Sequence, residues 1–224
     1  MFFKRLAIIG SFAMTTLTSA VAAADGGALE ERLRSAADRG DAGEVRTLLE
    51  RGAQIDSRDG QDRTALLLAT QGDHAEAARV LIDAGADVNA KDAIQDSPYL
   101  YAGARGHLDI LKMTLAHGAD LRSTNRYRGT ALIPAAERGH VDTVRTLIDA
   151  GVNVDHVNRL GWTALLEAIM LGDGSARYVR IVQLLVDAKA NVNLADSNGE
   201  TPLRHARSRG YAEIERVLVA AGGR

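Results

Sequence analysis

Short runs of apolar residues at helical spacing alternate with glycines along most of the chain. The clearest pair of runs lies between Gly129 and Asn158, with Thr130 placed as an N-cap and Gly139 as a break between them. Their apolar positions are Leu132, Ile133, Ala135 and Ala136, then Val141, Val144, Leu147 and Ile148. Gly151 follows the second run, where a left-handed C′ residue is expected. The pattern predicts two short helices, each too short to be stable alone, so both must pack against neighbours.

The same pattern recurs along the chain with a constant period. The closing glycines are Gly52, Gly85, Gly118 and Gly151, each 33 residues after the one before. The opening hydroxyl residues are Thr64, Ser97, Thr130, Thr163 and Thr201, so the spacing is 33 until the last interval, which is 38. A repeat of this length is typical of a stacked array, in which each unit buries its apolar face against the next.

The repeated motif reads T-A/P-L-x-x-A, then G-H, V-x-x-L-L/I and G-A-D-V-N-A, and it resembles the ankyrin repeat. An aspartate or asparagine stands five residues before each opening position, as the finger turn of that family requires: Asp59, Asp92, Asn125, Asn158 and Asp196. The resemblance covers roughly residues 28–224. It implies an all-α solenoid of stacked helix-turn-helix units with protruding β-turn fingers.

On this basis residues 25–224 form one ankyrin repeat domain. Its units are an N-cap repeat 28–58, repeats 59–91, 92–124, 125–157 and 158–195, and a C-cap repeat 196–224. The outer helix of the N-cap repeat is predicted from Leu29 to Arg39, with many charged residues for its solvent-facing side. The repeat 158–195 carries five extra residues, predicted around Asp173 to Arg177 between its two helices.

Two residues depart from the repeat in ways that affect the backbone. Lys189 stands where the other repeats have the closing glycine, and a left-handed lysine there costs on the order of 1 kcal/mol unless the turn differs. Pro134 falls within about the first turn of its helix, where we expect little hydrogen bonding to be lost. We expect each opening threonine, including Thr130, to cap the N-terminus of the helix that follows it and not to act as a nucleophile.

Residues 1–24 do not fit the repeat. Lys4 and Arg5 precede an uncharged, largely apolar run from Leu6 to Thr18, and alanines at positions 20–24 offer cleavage sites after Ala22 or Ala24. This layout predicts a cleaved secretory signal peptide. It looks like a bacterial signal sequence, so the predicted destination is the periplasm. The alternative is a single membrane anchor, for which the apolar run is short and rich in threonine. After cleavage we expect no membrane insertion and a monomeric protein.

Composition narrows the choice of partner. The chain has 224 residues, of which 25% are charged, and its net charge is −2. Removing residues 1–24 takes away Lys4 and Arg5 and no acidic residue, which leaves −4. A mildly acidic protein is a poor candidate for nucleic acid binding, which depends on neutralising phosphates. There is no cysteine, so disulfides, thiol chemistry and a bacterial lipid anchor are excluded.

The residues that could carry chemistry form no catalytic or cofactor-binding motif. His74, His107 and His140 recur with the repeat, so we expect them to form hydrogen bonds at turns rather than to share one metal ion. Asp173 lies in G-D-G-S without the rest of a calcium loop. A hydrolase or metal enzyme using His156 and Asp173 is kept as an improbable alternative. We expect no enzyme activity, no metal and no cofactor.

The family resemblance implies that the fingertips and the last residues of each first helix line a concave face. At those positions the middle repeats carry aromatic, aliphatic and arginine residues, which is the composition of a protein-binding hot spot. Solubility alone would disfavour such exposed groups. The predicted contact residues are Ile94, Tyr101, Arg105, Arg126, Tyr127, Arg138, Arg159, Leu160, Trp162, Met170 and Leu171. Leu160 could instead pack between fingers.

The resulting functional expectation is a periplasmic adaptor that binds another protein through the concave face and fingertips of the central repeats, residues 92–195. Exported bacterial ankyrin proteins, which the chain resembles, imply a role in supporting or protecting a periplasmic enzyme, including against oxidative stress. An immunity protein that neutralises a toxin is an alternative with the same fold.

Overall fold

The computed structural model describes the backbone of residues 15–224 and the side chains of residues 27–224. Within these residues the chain forms twelve α-helices and no strand. The helices are α1 Thr15–Asp38, α2 Ala42–Glu50, α3 Ala65–Gln71, α4 Ala75–Asp83, α5 Pro98–Arg105, α6 Leu108–Ala116, α7 Leu132–Glu137, α8 Val141–Asp149, α9 Ala164–Met170, α10 Ala176–Asp187, α11 Pro202–Ser208 and α12 Ala212–Ala220. In the part of the chain described, none of these helices is long and apolar enough to cross a membrane.

The helices stack in two layers, as the repeat pattern predicts. The first helices of successive repeats contact one another in the order α1, α3, α5, α7, α9 and α11, and the second helices do the same from α2 to α12. Leucines between the layers form a continuous core without solvent exposure, among them Leu33, Leu48, Leu66, Leu81, Leu132 and Leu147. The all-α ankyrin solenoid predicted from the sequence is confirmed.

Each finger is closed by the aspartate or asparagine that precedes the opening residue by five positions. In all five fingers its Oδ1 accepts hydrogen bonds from the backbone N–H groups two and four residues later, at 2.8–3.0 Å. One side-chain oxygen therefore holds both sides of the turn, which is why this position accepts only a short side chain with a carbonyl or carboxylate oxygen.

The left-handed residue predicted after each second helix is present in all repeats. The closing glycines have φ between +81° and +93°, and Lys189 has φ +67°. Lys189 also keeps the turn hydrogen bonds, because its N–H donates to the Val186 carbonyl and the next N–H donates to Leu185. The turn in repeat 158–195 is thus the same as in the others, and of the two alternatives for Lys189 the left-handed lysine is the one present.

The five extra residues of repeat 158–195 are divided between a loop and a helix. The segment between α9 and α10 has five residues, whereas three join α3 to α4 and α7 to α8. Helix α10 has twelve residues, whereas α4 and α8 have nine. The prediction that the whole insertion lies between the helices was therefore wrong. Part of it adds nearly a full turn to α10, and Tyr178 is buried within that first part of the helix.

The first helix begins earlier than the repeat pattern predicts. The predicted outer helix, Leu29 to Arg39, corresponds to the second half of α1, which starts at Thr15. Alanines before Gly26 favour helix, and the glycine pair Gly26–Gly27 does not end it. The export signal stays a prediction, since residues 1–14 and the side chains of residues 15–24 lie outside the described residues.

Thr130 does not cap its helix, contrary to the prediction. Thr64, Ser97, Thr163 and Thr201 each accept the N–H of the third residue after them through the side chain. The Thr130 hydroxyl instead is buried with no hydrogen-bond partner among the described residues.

Pro134 explains this loss of the cap. In the other repeats the N–H of the fourth residue donates to the carbonyl of the opening residue. Pro134 occupies that fourth position and has no N–H, so the Ile133 N–H donates to the Thr130 carbonyl at 3.2 Å instead. Ile133 is then unavailable to the Thr130 hydroxyl, and helix α7 begins one residue late, at Leu132.

Valine substitutions at two equivalent positions should have opposite effects on stability. Thr130→Val removes a buried hydroxyl that has no partner, so we expect a free energy of unfolding about 1 kcal/mol higher. Thr163→Val removes an N-cap hydrogen bond and should lower the free energy of unfolding by about 0.5–2 kcal/mol. Urea unfolding of both variants measures this. Equal destabilisation by both would show that the Thr130 hydroxyl is hydrogen-bonded after all.

Candidate functional site

A groove of about 400 Å³ lies on the finger side of the first helices in the middle of the array. Three consecutive repeats line it, from residue 96 to residue 171. The fingers contribute one wall, and the ends of helices α5, α7 and α9 contribute the other. The lining residues are Asp96, Tyr101, Ala104, Arg105, Asn125, Arg126, Tyr127, Gly129, Ile133, Pro134, Glu137, Arg138, Asn158, Leu160, Glu167 and Leu171.

The groove brings together most of the contact residues predicted from the sequence. Seven of the eleven line it: Tyr101, Arg105, Arg126, Tyr127, Arg138, Leu160 and Leu171. The other four, Ile94, Arg159, Trp162 and Met170, do not line it. The family resemblance placed fingertips and helix ends on one concave face, and in the structure most of the predicted residues at these positions do line one groove.

Tyr127 is the aromatic centre of the finger wall. Its side chain is 46% exposed, and two guanidinium groups stack on its ring, Arg126 at 5.0 Å and Arg159 at 5.8 Å from the centroid. On the opposite wall Arg105 lies 5.4 Å from the ring centroid of Tyr101. These cation–π contacts hold long, flexible arginines in defined positions while leaving their N–H donors available.

Exposed aliphatic side chains accompany these aromatic rings. Leu160 and Leu171 are 52% and 51% exposed, and both line the groove, one from a fingertip and the other from the end of α9. Ile94 is 51% exposed on the preceding finger, just outside the groove. Ile94, Tyr127 and Leu160 occupy the same fingertip position in three successive repeats, two residues after the finger aspartate or asparagine. The packing of Leu160 between fingers, considered from the sequence, does not bury it.

Trp162 and Met170 are less accessible than the other predicted contact residues. Both are half-buried and neither lines the groove. The backbone N–H of Trp162 donates to Asn158 Oδ1 at 3.0 Å, the bond that closes each finger four residues after its aspartate or asparagine, so Trp162 lies at the base of its finger. The Met170 sulfur lies 4.0 Å from a guanidinium nitrogen of Arg209 in the last repeat.

Glu167 is a groove residue that the sequence analysis missed. It is only 4% exposed, and its Oε1 accepts a hydrogen bond from Asn158 Nδ2 at 2.9 Å. A similar contact recurs in the last repeat, where His205 Nε2 lies 3.0 Å from Asp196 Oδ2. The sequence did contain a sign that Glu167 is unusual. It places a carboxylate within the otherwise apolar run T-A-L-L-E-A of a buried helix.

Burial raises the pKa of Glu167 to about 7, and the neighbouring Glu137 adds to the increase. The hydrogen bond from Asn158 and the charge of Arg138 oppose it. Burial and the nearby Asp92 also raise the pKa of Asp96 above its ordinary value, against the influence of Arg126. The groove therefore contains a buried carboxyl group that keeps its proton to a higher pH than an ordinary glutamate does.

The recurring histidines lie at the turns, directly before the second helices. Two of the three make the polar contacts expected there, whereas the His140 ring makes no hydrogen bond among the described residues. His74 Nε2 is 2.9 Å from the Asp38 carbonyl oxygen, and His107 Nδ1 is 3.2 Å from Asp73 Oδ1. Two tyrosines make a related contact in the last two repeats, since Tyr178 and Tyr211 donate their hydroxyls to carbonyls of the preceding repeat at 2.8 Å. These side chains tie neighbouring repeats together.

His156 and Asp173, the residues considered for an enzyme, make local structural contacts. His156 Nε2 lies 2.7 Å from the Arg128 carbonyl oxygen, which joins two neighbouring fingers. Asp173, in the turn before α10, accepts the Ser175 backbone N–H at 3.0 Å and contacts Arg177 in the first turn of α10. Among the described residues no three histidine, aspartate or glutamate side chains are arranged to hold a metal ion.

Comparison with known proteins places these repeats in a family. The family model of ankyrin repeats (3 copies) matches residues 28–92 and 99–196. An ankyrin repeat protein of Escherichia coli (strain K12), YahD, is 50% identical over 56 residues, which are 25% of this chain and 28% of YahD. The chain thus matches little more than a quarter of the length of that relative.

Three solved structures are similar over most of the chain. The ankyrin repeat domain ABAYE2397 from Acinetobacter baumannii AYE is 64% identical with a TM-score of 0.84, and the match covers 86% of this chain and 98% of that one. The ankyrin repeat protein EF0377 is 41% identical with a TM-score of 0.82, covering 85% and 97%. The ankyrin repeat domain of Bcl-3, a member of the IkappaB family, is 28% identical with a TM-score of 0.77, covering 86% of each chain. The chain belongs to the ankyrin repeat family.

Proposed function

We propose that this protein is a non-catalytic adaptor that binds a partner protein in the groove lined by residues 96–171. The observation that carries the proposal is Tyr127, an exposed ring held between Arg126 and Arg159 at the centre of the finger wall. Tyrosine and arginine are the residues most enriched in interface hot spots, and apolar neighbours that exclude water strengthen them. Leu160 and Leu171 are such neighbours.

The family supports a binding role of this kind. Ankyrin repeats are protein–protein interaction modules, and the fold is typically not catalytic. The groove also has the form expected of such a module, because rigid first helices support its floor and the fingers project beyond them. The exposed side chains of the fingers lie outside the core, so they are available to contact a partner.

The setting that we propose is the bacterial periplasm. The supporting observation is the layout of residues 1–24, with its basic start, apolar run and alanine-rich end. The resemblance to exported ankyrin proteins suggests that the partner is a periplasmic enzyme that the adaptor supports or protects, including under oxidative stress. The test begins with capture of partners by the tagged native protein from an osmotic-shock extract, followed by their identification by mass spectrometry.

Alanine in place of Tyr127 should weaken binding of the captured partner by about 2 kcal/mol or more, the range of interface hot spots. The melting temperature should change little, because the ring is about half exposed and lies outside the core. Isothermal titration and thermal unfolding measure the two effects.

Asn198→Ala is the matched control, since Asn198 occupies the same fingertip position in the last repeat, beyond the groove. Its substitution should leave affinity unchanged. A loss of affinity as large as that of Tyr127→Ala would mean that the groove is not the binding site. Unfolding of Tyr127→Ala would assign the ring to stability rather than to binding.

A further inference from the structure

We infer that the groove accepts an acidic segment of the partner, in which a carboxylate side chain is next to an aliphatic or aromatic residue; this rests on the proposed function and names the chemistry of the partner. The inference follows from the arginines of the groove, from the state of its buried carboxyl group and from the apolar side chains beside them.

The arginines of the groove are mostly without ion-pair partners. Arg105, Arg126 and Arg138 line it, and Arg159 borders it on the ring of Tyr127. In the part of the chain that the structure describes, Arg126 has an acidic neighbour within 4.0 Å, Asp96 at 3.9 Å, and salt bridges are absent for the other three. Four guanidinium groups are thus gathered on one face of a chain whose net charge is −2.

The acidic residues of the groove cancel only part of this charge. Asp96, Glu137 and Glu167 line it, and the charges of Arg126, Arg105 and Arg138 all act on Asp96. Glu167 is only 4% exposed, so Asp96 and Glu137 are the two more accessible carboxyl groups beside four guanidinium groups. The groove therefore has an excess of positive charge at its accessible walls. An incoming carboxylate would compensate that excess, whereas a lysine would meet the arginines before it reached the buried floor.

The arginines are also positioned before any partner arrives. Arg138 donates to the Ala104 carbonyl oxygen at 2.7 Å, which fixes it across two repeats beside Arg105. Arg105 stacks on Tyr101, and the other two stack on Tyr127. Such contacts reduce the conformational entropy that a carboxylate-binding arginine loses, and a planar guanidinium can still bind a carboxylate through two N–H groups.

The size and apolar part of the groove indicate the form of the acidic partner. A volume of about 400 Å³ admits a few side chains of an extended segment. Tyr127, Leu160 and Leu171 provide exposed apolar surface within the same groove as the arginines. A segment with an acidic residue beside a leucine or phenylalanine would bury these groups and pair the arginines at once.

Peptide selection on the immobilised full chain tests the inference directly. The probe is a displayed library of random twelve-residue peptides, selected in parallel on the wild type and on Arg105→Gln/Arg138→Gln. The control is Arg145→Gln/Arg180→Gln, which removes two exposed arginines of α8 and α10 that do not line the groove. We expect peptides enriched in aspartate and glutamate beside apolar residues. Fluorescence anisotropy should show at least a tenfold weaker affinity for the groove variant and no change for the control.

The outcomes separate this inference from the proposed function. Basic or uncharged peptides whose binding Tyr127→Ala weakens would overturn the acidic preference and leave the groove as the binding site. Acidic peptides that are insensitive to both the groove variant and Tyr127→Ala would contradict both proposals. Failure to enrich any peptide overturns the inference, as does a dimer, seen by sedimentation, that Tyr127→Ala dissociates, because a second copy would then occupy the groove.

Discussion

Replacing Leu147 by alanine is expected to lower the free energy of unfolding by about 2–5 kcal/mol. Leu147 has no solvent exposure, and it lies in α8, which packs against α7 in its own repeat and against α6 and α10 on either side. Truncation leaves a cavity where two layers and three repeats meet. Because an array is stabilised by contacts between neighbours, the loss should also weaken the coupling between the two halves of the protein.

Urea unfolding followed by circular dichroism measures the Leu147→Ala effect, with Val157→Ala as the control. Val157 is 44% exposed and is the last residue of the same repeat, so its truncation should change stability by no more than about 0.5 kcal/mol. Unchanged unfolding of Leu147→Ala would mean that the register of α8 is wrong. A broader transition in this variant, with a lower slope, would show that the two halves unfold separately.

Glutamine in place of Glu167 should stabilise the protein at pH 8 by up to about 3 kcal/mol and leave it nearly unchanged below pH 4.5. The pKa of Glu167 is raised in the folded protein from an ordinary value of 4.5 to about 7. Below pH 4.5 the carboxyl group is protonated in both states and has no net effect. Between pH 4.5 and 7 the unfolded chain loses its proton first, so the stability of the wild type falls as pH rises. Above pH 7 the loss is complete.

Thermal unfolding of the wild type and Glu167→Gln at pH 5, 6, 7 and 8 measures this difference. Glutamine is neutral throughout and its Oε1 can still accept the hydrogen bond from Asn158, so its curve should be flatter over this range. Glu31→Gln is the control, because Glu31 is exposed on α1 and its substitution should leave the pH dependence as it is. Parallel curves for the wild type and Glu167→Gln would show that Glu167 ionises normally in the folded protein.

The parts of the fold that the sequence predicts are those set by local backbone chemistry. A left-handed turn favours glycine, and a finger needs a short side chain with an acceptor oxygen, so Gly151 and Asn158 identify their turns wherever they recur. The fixed period then places each turn beside its equivalent in the next repeat. For the same reason the fingertip and helix-end positions of the groove could be located from the sequence.

The features that the sequence did not predict are the missing cap of Thr130, the burial of Glu167 and the position of the Trp162 side chain. Each depends on hydrogen bonding or packing between particular side chains and their neighbours. Pro134 shortens the start of its own helix, and the Ile133 N–H donates to the Thr130 carbonyl instead of the Thr130 hydroxyl, so Thr130 loses its capping role. Glu167 has an unremarkable helix position, and only the packing of neighbouring repeats buries it. The finger motif predicts the backbone bond from Trp162 to Asn158, but only the packed structure shows that the Trp162 side chain is half-buried and outside the groove.

The groove occupies three consecutive repeats in the middle of the array and leaves the terminal ones uninvolved. Gene changes that duplicate or delete a whole unit near either end would alter the length of the protein without separating the groove residues. A unit gained or lost between Asp96 and Leu171 would instead change the spacing of the groove residues along both walls. Descendants of this protein could therefore vary in repeat number at the ends and retain their partner, whereas a change at the centre would exchange one binding specificity for another.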